Sequence, residues 1–496
     1  MQVQKFYSKL IKNLNSKLFF YTHNGVNKTY IDLKELILKF FNFKKIFPKN
    51  KQNKIILISE KSFENYSFII SILISNNIWI QVNKSTPLER IKKMEKMISP
   101  DVVIMDKINS YKNIALKNFF LKKGIKFFTF NDILSFEAED RNLDLIRNEN
   151  DCAMSFFTSG STGFPKSVYI TNKNFISSLF GQLDKLYPEG KRYIFGDFHD
   201  NSFVIILNIL LPCIYTQSTI SPAISLKENF FFLDHIKKNK INVLITVPSN
   251  INRIKRYNKN QEIKSLKKVI MCGETFYSDI LLYVNKIFPN SKIYNSYGST
   301  ELSPWVFSYK FSKKHLSLIK KKGIVPIGKE YFNVKYSINK KKELCIDGPM
   351  VAHGYSQNDL NKNKFIKRRN NWTYNTNDIA ELENDLVFIK GRSDSVVKIN
   401  GYRIEMLEIE TQLKPNLKIK NCFVFTEKID DYEKVIVAAI EMNFKNKKKD
   451  YLSKYFRNYL SKKLPYYMLP KRFDFYTKFP FNKNGKIDKA KIKRIN

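Results

Sequence analysis

The stretch Thr158-Ser159-Gly160-Ser161-Thr162-Gly163-Phe164-Pro165-Lys166 follows directly on the apolar run Ser155-Phe156-Phe157. That run reads as the end of a strand, and the loop after it is crowded with Ser, Thr and Gly. Hydroxyls and closely spaced backbone N–H groups suit phosphate oxygens, and glycines let the backbone approach them. Lys166 adds a mobile positive charge. A P-loop of the NTPase kind needs Gly directly before its Lys and Ser or Thr after it. Gly160 and Lys166-Ser167 have that spacing, but Pro165 stands where the second Gly belongs. Proline has no N–H to donate and holds its predecessor extended. The NTPase reading fails on that chemistry, and a plain polar surface loop leaves the density of hydroxyls unexplained.

On either side of the loop the pattern is layered α/β. Residues 54–58 and 101–105 are apolar runs suited to buried parallel strands, and 240–246 and 268–271 continue the series. Ser85-Thr86-Pro87-Leu88-Glu89-Arg90 opens a helix with proline in its first turn. Strands alternating with helices predict an α/β fold. Near residue 390 the character changes: 386–389 ends one run and 390–394 reads as a connector. The chain then divides into a large domain, 1–390, and a small α+β domain, 391–496, with strands at 422–425 and 435–440. A chain of 496 residues, 43% hydrophobic and 14% aromatic, can fill several cores and argues against extended disorder.

The formal net charge of +41 raises the question of nucleic acid. Lysines are scattered along the whole chain and no zinc finger or other nucleic-acid motif accompanies them, so a solvated basic surface is expected and no specific nucleic-acid partner. Cys152, Cys213, Cys272, Cys345 and Cys422 lie far apart without a CxxC, which predicts reduced thiols and a cytoplasmic setting. Residues 1–20 mix lysines with apolar residues and show no small-residue cleavage site, so no signal peptide is expected. Residues 201–226 are uncharged, but Asn208, Pro212 and the run 216–219 break them below the ~20 residues a membrane span needs. A buried helix followed by a buried strand is expected there, without membrane insertion.

The loop at 158–166 resembles the acyl- and aminoacyl-adenylate-forming superfamily, and further matches follow in order. They are Cys272-Gly273-Glu274, Asn295-Ser296-Tyr297-Gly298-Ser299-Thr300-Glu301, Val351-Ala352-His353-Gly354-Tyr355 and Tyr374-Asn375-Thr376-Asn377-Asp378. Gly391-Arg392-Ser393-Asp394, Lys398-Ile399-Asn400-Gly401-Tyr402-Arg403-Ile404-Glu405 and Asn484-Gly485-Lys486-Ile487-Asp488 complete the series. The resemblance implies a large adenylate-forming domain of layered α/β subdomains and a small mobile α+β lid carrying the catalytic lysine. It also implies ATP and Mg²⁺. Thr158, Ser159, Gly160, Ser161, Thr162, Gly163 and Lys166 would grip the phosphates. Tyr297 would stack on adenine, with Asn295, Gly273, Glu274 and Gly298 beside it, and Asp378 would bind the ribose with Arg392 nearby. Thr300 would touch the α-phosphate, Glu301 would hold Mg²⁺, and Lys486 would bridge the α-phosphate and the attacking acid. Asp394 would be the hinge, and Lys398 and Gly401 would belong to a loop presented for thioester formation. A carboxylate attacking an α-phosphorus brings anion to anion, so a metal cation and a lysine are what that reaction needs.

Departures from the family pattern are Ser167 for Gly, His353 for Arg, and Asn375 and Asn377 around Thr376; Asn tolerates the left-handed geometry a Gly would supply. Within the superfamily the chain looks most like stand-alone D-alanine–carrier-protein ligases and nonribosomal-peptide adenylation domains. Asp200 would face a substrate ammonium, and Cys272, Ser296 and the bulky Trp305 would line a pocket for an amino acid or other small acid. His199-Asp200 also resembles fatty-acyl-AMP ligases, so that class and acyl-CoA synthetases stay open. The acceptor expected is carrier-protein phosphopantetheine, with CoA as the alternative, and a basic surface would attract an acidic carrier. A non-catalytic nucleotide-binding protein of this fold is the remaining alternative; the joint presence of Lys166, Glu301, Asp378 and Lys486 argues against it.

Overall fold

The computed structural model describes residues 2–47, 51–108, 111–143, 147–160, 165–257, 261–356, 361, 364–368, 371–394, 396–429, 433–443, 449–480 and 491–492. Two compact units emerge, one of residues 1–84, 97–157 and 167–393, the other of 85–96, 158–166 and 394–496.

In the first unit a six-stranded sheet runs in the order Lys126–Thr129, Val102–Met105, Lys54–Ile58, Ile78–Val82, Cys152–Thr158, Lys166–Thr171. Its central strands are parallel, with Ile56 opposite both Ile80 and Val103. Such strands are covered on both faces, which is why 55–58 is an unbroken apolar run buried at every position. The crossover helix Phe63–Ile74 starts where the Ser62 hydroxyl accepts from the Asn65 N–H. A nine-stranded sheet has Ile194–Asp197 near its centre, parallel to Thr219–Pro222 and Val243–Thr246; Lys268–Cys272 and Lys292–Gly298 continue it in parallel. The uncharged segment 201–226 forms the helix Leu207–Tyr215 and the strand Thr219–Pro222, both buried. Among the described residues no helix is long and apolar enough to cross a membrane.

A third, antiparallel sheet is built on the long strand Trp372–Glu383, which pairs with Glu343–Gly348, Phe365–Lys367 and Leu386–Arg392. One apolar core joins these layers, from Phe6 and Tyr30 through Phe68 and Trp79 to Phe175, Leu344 and Val387. Parallel strands that end together leave the segments after Asp197, Thr246, Cys272 and Gly298 at one carboxyl edge, where α/β sheets bind ligands.

The second unit is α+β. Strands Asn421–Lys428, Lys434–Glu441 and Arg472–Tyr476 form its sheet, and helices Met406–Leu413 and Lys449–Ser461 contribute Ile409, Leu413, Phe456 and Leu460 to its core. Helix Leu88–Ile98 begins just after Pro87, as its sequence predicts. The segment read as a loop around Lys398 is a hairpin: Val396–Ile399 pairs with Tyr402–Glu405 through Asn400-Gly401, at φ +51° and +79°. Positive φ at both turn residues is what a two-residue type I′ connection requires, and Asn-Gly is its preferred pair. Of the basic cluster at 445–449, only Lys449 is among the described residues.

Candidate active site

Tyr297 closes the strand Lys292–Gly298, and its hydroxyl donates to Asp378 Oδ2 at 2.6 Å. Arg392 lies directly across the ladder from Asp378, and its guanidinium donates to Oδ1 at 2.7 Å. All three are largely buried. Burial, then the Asp378 charge, hold the Tyr297 phenol well above its usual pKa, so it stays a hydrogen-bond donor. Each carboxylate oxygen keeps lone-pair capacity beyond these bonds, which suits ribose hydroxyls. Gly298 admits no side chain, because a Cβ would sit 1.7 Å from the Pro304 carbonyl oxygen. Gly273 turns at φ +77° directly after Cys272, whose strand registers Cys272 opposite Ser296 and Met271 opposite Asn295. The Asn295 amide donates to the carbonyls of Val325 and Pro326 at 3.1 and 2.9 Å, while Glu274 accepts from the Ser249 N–H at the start of helix Pro248–Tyr257.

The turn that presents Asp378 accounts for two departures in the sequence. Asn377 adopts φ +59°, the left-handed geometry a glycine would otherwise supply, and its carbonyl accepts from the Ser393 N–H. The Asn375 amide donates to Glu343 Oε2 at 3.0 Å, Asn339 donates to the same oxygen at 2.9 Å, and the Ser393 hydroxyl donates to Oε1. Those bonds, Ser393 first, lower the Glu343 pKa from 4.5 to about 2. A carboxylate depressed by folding stabilises fully above its unfolded pKa and loses that contribution as pH falls toward the folded one. Glu343→Gln is therefore expected to lower the unfolding temperature at pH 7, the deficit shrinking as pH drops from about 4.5 toward 3. Thermal unfolding of both proteins across that range checks it, and a deficit independent of pH would remove ionisation of Glu343 from the account.

Thr300 and Glu301 sit in a short 3₁₀ turn after Gly298. Glu301 is fully buried, and the Tyr355 hydroxyl donates to its Oε1 at 2.7 Å. On either side of the pair, the hydroxyls of Ser299 and Ser303 are buried with no hydrogen-bond partner. A buried hydroxyl without a protein partner calls for one from a water, an ion or a ligand. Among the described residues no group of three His, Cys, Asp or Glu could hold a metal by itself. Glu301 alone still fits Mg²⁺, which is commonly held by one or two carboxylates together with substrate phosphates and waters.

The residues that the sequence assigns to the acid pocket lie at or after the ends of the same parallel strands. Asp200 Oδ1 accepts from the Ser202 N–H and hydroxyl, each at 2.8 Å, and Oδ2 accepts from the Asn83 amide. Asp197, three residues earlier, was not singled out by the sequence. It is fully buried, accepts from Lys61 Nζ at 3.3 Å and the His199 N–H at 3.1 Å, and takes the Tyr66 hydroxyl on Oδ2. Trp305 is buried, with its carbonyl accepting from Ser178, and the hydroxyls of Ser296 and Ser308 pair at 3.1 Å. The Cys272 thiol faces the Thr246 carbonyl. No disulfide joins the five cysteines.

Of the phosphate loop, Thr158, Ser159, Gly160 and Lys166 are described; Ser161, Thr162 and Gly163 lie outside the described residues, as does Lys486. The Thr158 hydroxyl is buried without a partner. Within the second unit the Gly160 N–H donates to Glu408 Oε2 at 3.2 Å, the Ser159 hydroxyl donates to the Arg403 carbonyl at 2.7 Å, and Lys166 Nζ stands 3.5 Å from Glu405 Oε1. Glu408 also takes the Arg90 guanidinium. Two of the loop's donors, the Gly160 N–H and the Lys166 ammonium, thus face carboxylate oxygens, and the Ser159 hydroxyl a neutral carbonyl. Ser167, where a glycine was expected, is buried and pairs its hydroxyl with Ser155 at 2.7 Å.

The sequence profile of the family described as AMP-binding enzyme matches residues 13–356. The chain belongs to that family. It is 28% identical over 423 residues to a D-alanine–D-alanyl carrier protein ligase of Staphylococcus aureus, a match covering 84% of each chain. Among solved structures, a Vibrio cholerae adenylation domain in complex with glycyl-adenosine-5'-phosphate superposes with a TM-score of 0.84 at 16% identity, over 99% of this chain and 97% of the other. An artificially fused adenylation–carrier di-domain from Klebsiella oxytoca superposes with a TM-score of 0.80 at 18% identity, over 95% and 93%. These superpositions show the adenylation-domain fold.

As an AMP-binding enzyme the chain is an adenylate-forming ligase. Tyr355, Glu343 and Asp197 are the supporting residues that sequence reasoning missed. Tyr355 stood in a quoted motif only as a neighbour and Glu343 was given no role, because what they hold is set by tertiary packing.

Proposed function

We propose that this chain condenses an amino acid or other small acid with ATP and passes the acyl group to the phosphopantetheine thiol of a carrier protein, in a cytoplasmic setting. The observation that carries the reading is the match, over 84% of both chains, to a D-alanine–D-alanyl carrier protein ligase. In this reading Asp378 and Arg392 fix the ribose, Tyr297 stacks on adenine beside Gly273, Asn295 and Glu274, and Thr158 to Gly163 with Lys166 hold the phosphates. Glu301 would hold Mg²⁺, which when bound neutralises charge on the phosphate oxygens. The acid's carboxylate oxygen attacks the α-phosphorus, its bond to the pyrophosphate oxygen breaks, and Thr300 and Lys486 stabilise the charge gathered there. The carrier thiolate then attacks the acyl carbon and AMP leaves. Turning at Asp394 would exchange Lys486 for the hairpin carrying Lys398 and Gly401.

A second reading of the substrate, a small acid without an ammonium group, is favoured by Asp200, whose Oδ1 already accepts from Ser202 and whose Oδ2 from Asn83. Competition between alanine, of either hand, and propionate separates the two. With an amino acid preferred, Asp200→Ala should raise the KM of the amino acid well above that of ATP. Equal use of alanine and propionate would favour the second reading. Thioester formed on CoA and on no holo-carrier protein would overturn the carrier reading.

A further inference from the structure

On the first unit, Ile224, Leu226, Phe230 and Phe231 are exposed, Leu226 at 90% and the two phenylalanines at just over half. Most phenylalanines of this chain are buried, so three large apolar side chains within six residues on the surface are out of character. They are held in place. The Ser225 hydroxyl and Glu228 form a reciprocal cap on the short helix Leu226–Phe230, and Glu228 also binds His23 at 3.0 Å and the Asn24 amide at 3.2 Å on a neighbouring hairpin. Phe230 and Phe231 meet edge to face at 5.0 Å, and the Arg253 guanidinium lies over the Phe230 ring at 5.0 Å. Aromatic rings with an overlying arginine are the side chains that dominate protein interfaces, and a preformed arrangement lowers the cost of docking.

The charge around them is mostly positive, with Asp234 an exposed carboxylate on the next helix, Phe232–Lys238. Lys227 belongs to this segment, Lys238 ends the helix Phe232–Lys238, and Arg253 and Arg256 lie on helix Pro248–Tyr257, whereas Glu228 is spent on its cap and His23. The strands Thr219–Pro222 and Val243–Thr246 end just ahead of Ile224 and Pro248, at the carboxyl edge that also carries Gly273 and Tyr297. We propose that the face formed by Ile224, Leu226, Phe230, Phe231 and Arg253 is a docking surface for an acidic amphipathic helix of the carrier protein. The helix lays its apolar side on the exposed rings and its carboxylates against Lys227, Arg253 and Arg256. The partner is then seated beside the edge where the adenylate forms.

The inference rests on the carrier-protein reading, and three assays on one variant tell the two apart. Leu226→Asp/Phe230→Asp/Phe231→Asp is compared with the parent in acid-dependent pyrophosphate exchange, in acyl transfer to free pantetheine, and in loading of holo-carrier proteins including the Staphylococcus aureus D-alanyl carrier protein. Exchange and transfer to pantetheine should be unchanged, while the KM for carrier rises at least tenfold. Lys227→Glu should raise that KM alone and reduce its dependence on salt. Where the triple variant loses exchange through misfolding, Leu226→Asp, at the most exposed position, takes its place. Carrier KM equal to the parent's in these variants overturns the docking surface and leaves the carrier reading standing. A parent that loads no carrier but transfers to pantetheine overturns both. Cosedimentation with phosphatidylglycerol vesicles that the variant abolishes, with carrier loading intact, assigns the face to a membrane and overturns the proposal.

Discussion

Lys486→Ala is expected to reduce acid-dependent pyrophosphate exchange by roughly 10²–10³-fold, the usual cost of removing one donor aimed at charge that develops in the transition state. Lys486 is implicated by its place in Asn484-Gly485-Lys486-Ile487-Asp488, near the end of the chain and far from the other site residues in sequence. An interaction made only in the transition state lowers kcat and kcat/KM together. The KM for ATP should therefore move little, as should equilibrium binding of ATP. A variant with parental exchange removes Lys486 from the chemistry; one that loses ATP affinity by the same factor as rate makes it a ground-state binder. Thiol transfer from preformed adenylate should be spared, because in the proposed scheme the lysine acts on phosphorus in the first step only.

The second large effect is expected at Asp378. Its carboxylate is buried and takes both the Tyr297 hydroxyl and the Arg392 guanidinium. Asp378→Ala removes one partner of a buried ion pair, a change that typically costs about 3–5 kcal/mol of stability. It also removes the proposed acceptor for the ribose. Asp378→Asn keeps the shape while weakening charge-assisted bonds, at about 1.5–3 kcal/mol, or roughly ten- to a hundred-fold in Kd for ATP. Calorimetric binding of ATP alongside thermal unfolding separates the two contributions. ATP binding of parental strength in a folded Asp378→Asn protein would take Asp378 out of the nucleotide site.

Residues 54–58, 102–105 and 268–272 were legible because strands buried on both faces must be apolar throughout, and helix Leu88–Ile98 because Pro87 marks its start. The hairpin around Asn400-Gly401 was written in the sequence too, in the one dipeptide whose two residues both accept positive φ. Less of the site's support could be read. Asp378 faces Arg392 through a ladder register, Glu301 meets Tyr355 across 54 residues, and Asp197 joins Lys61 across 136. No local pattern carries such pairings. The same holds for the segments 85–96 and 158–166, which pack with 394–496 rather than with the chain around them. At Ser167, Asn375 and Asn377 the departures from the family pattern find local partners or tolerated geometry, so the turns they belong to keep their form.

The central claim is adenylation of a small acid, and pyrophosphate exchange tests it most directly. The purified chain, with ATP, Mg²⁺ and labelled pyrophosphate, is offered D- and L-amino acids, small carboxylic acids without an amine, and fatty acids. Label entering ATP only when an amino acid or another small acid is present is the predicted result. Exchange with none of the acids, or with long fatty acids alone, would contradict it.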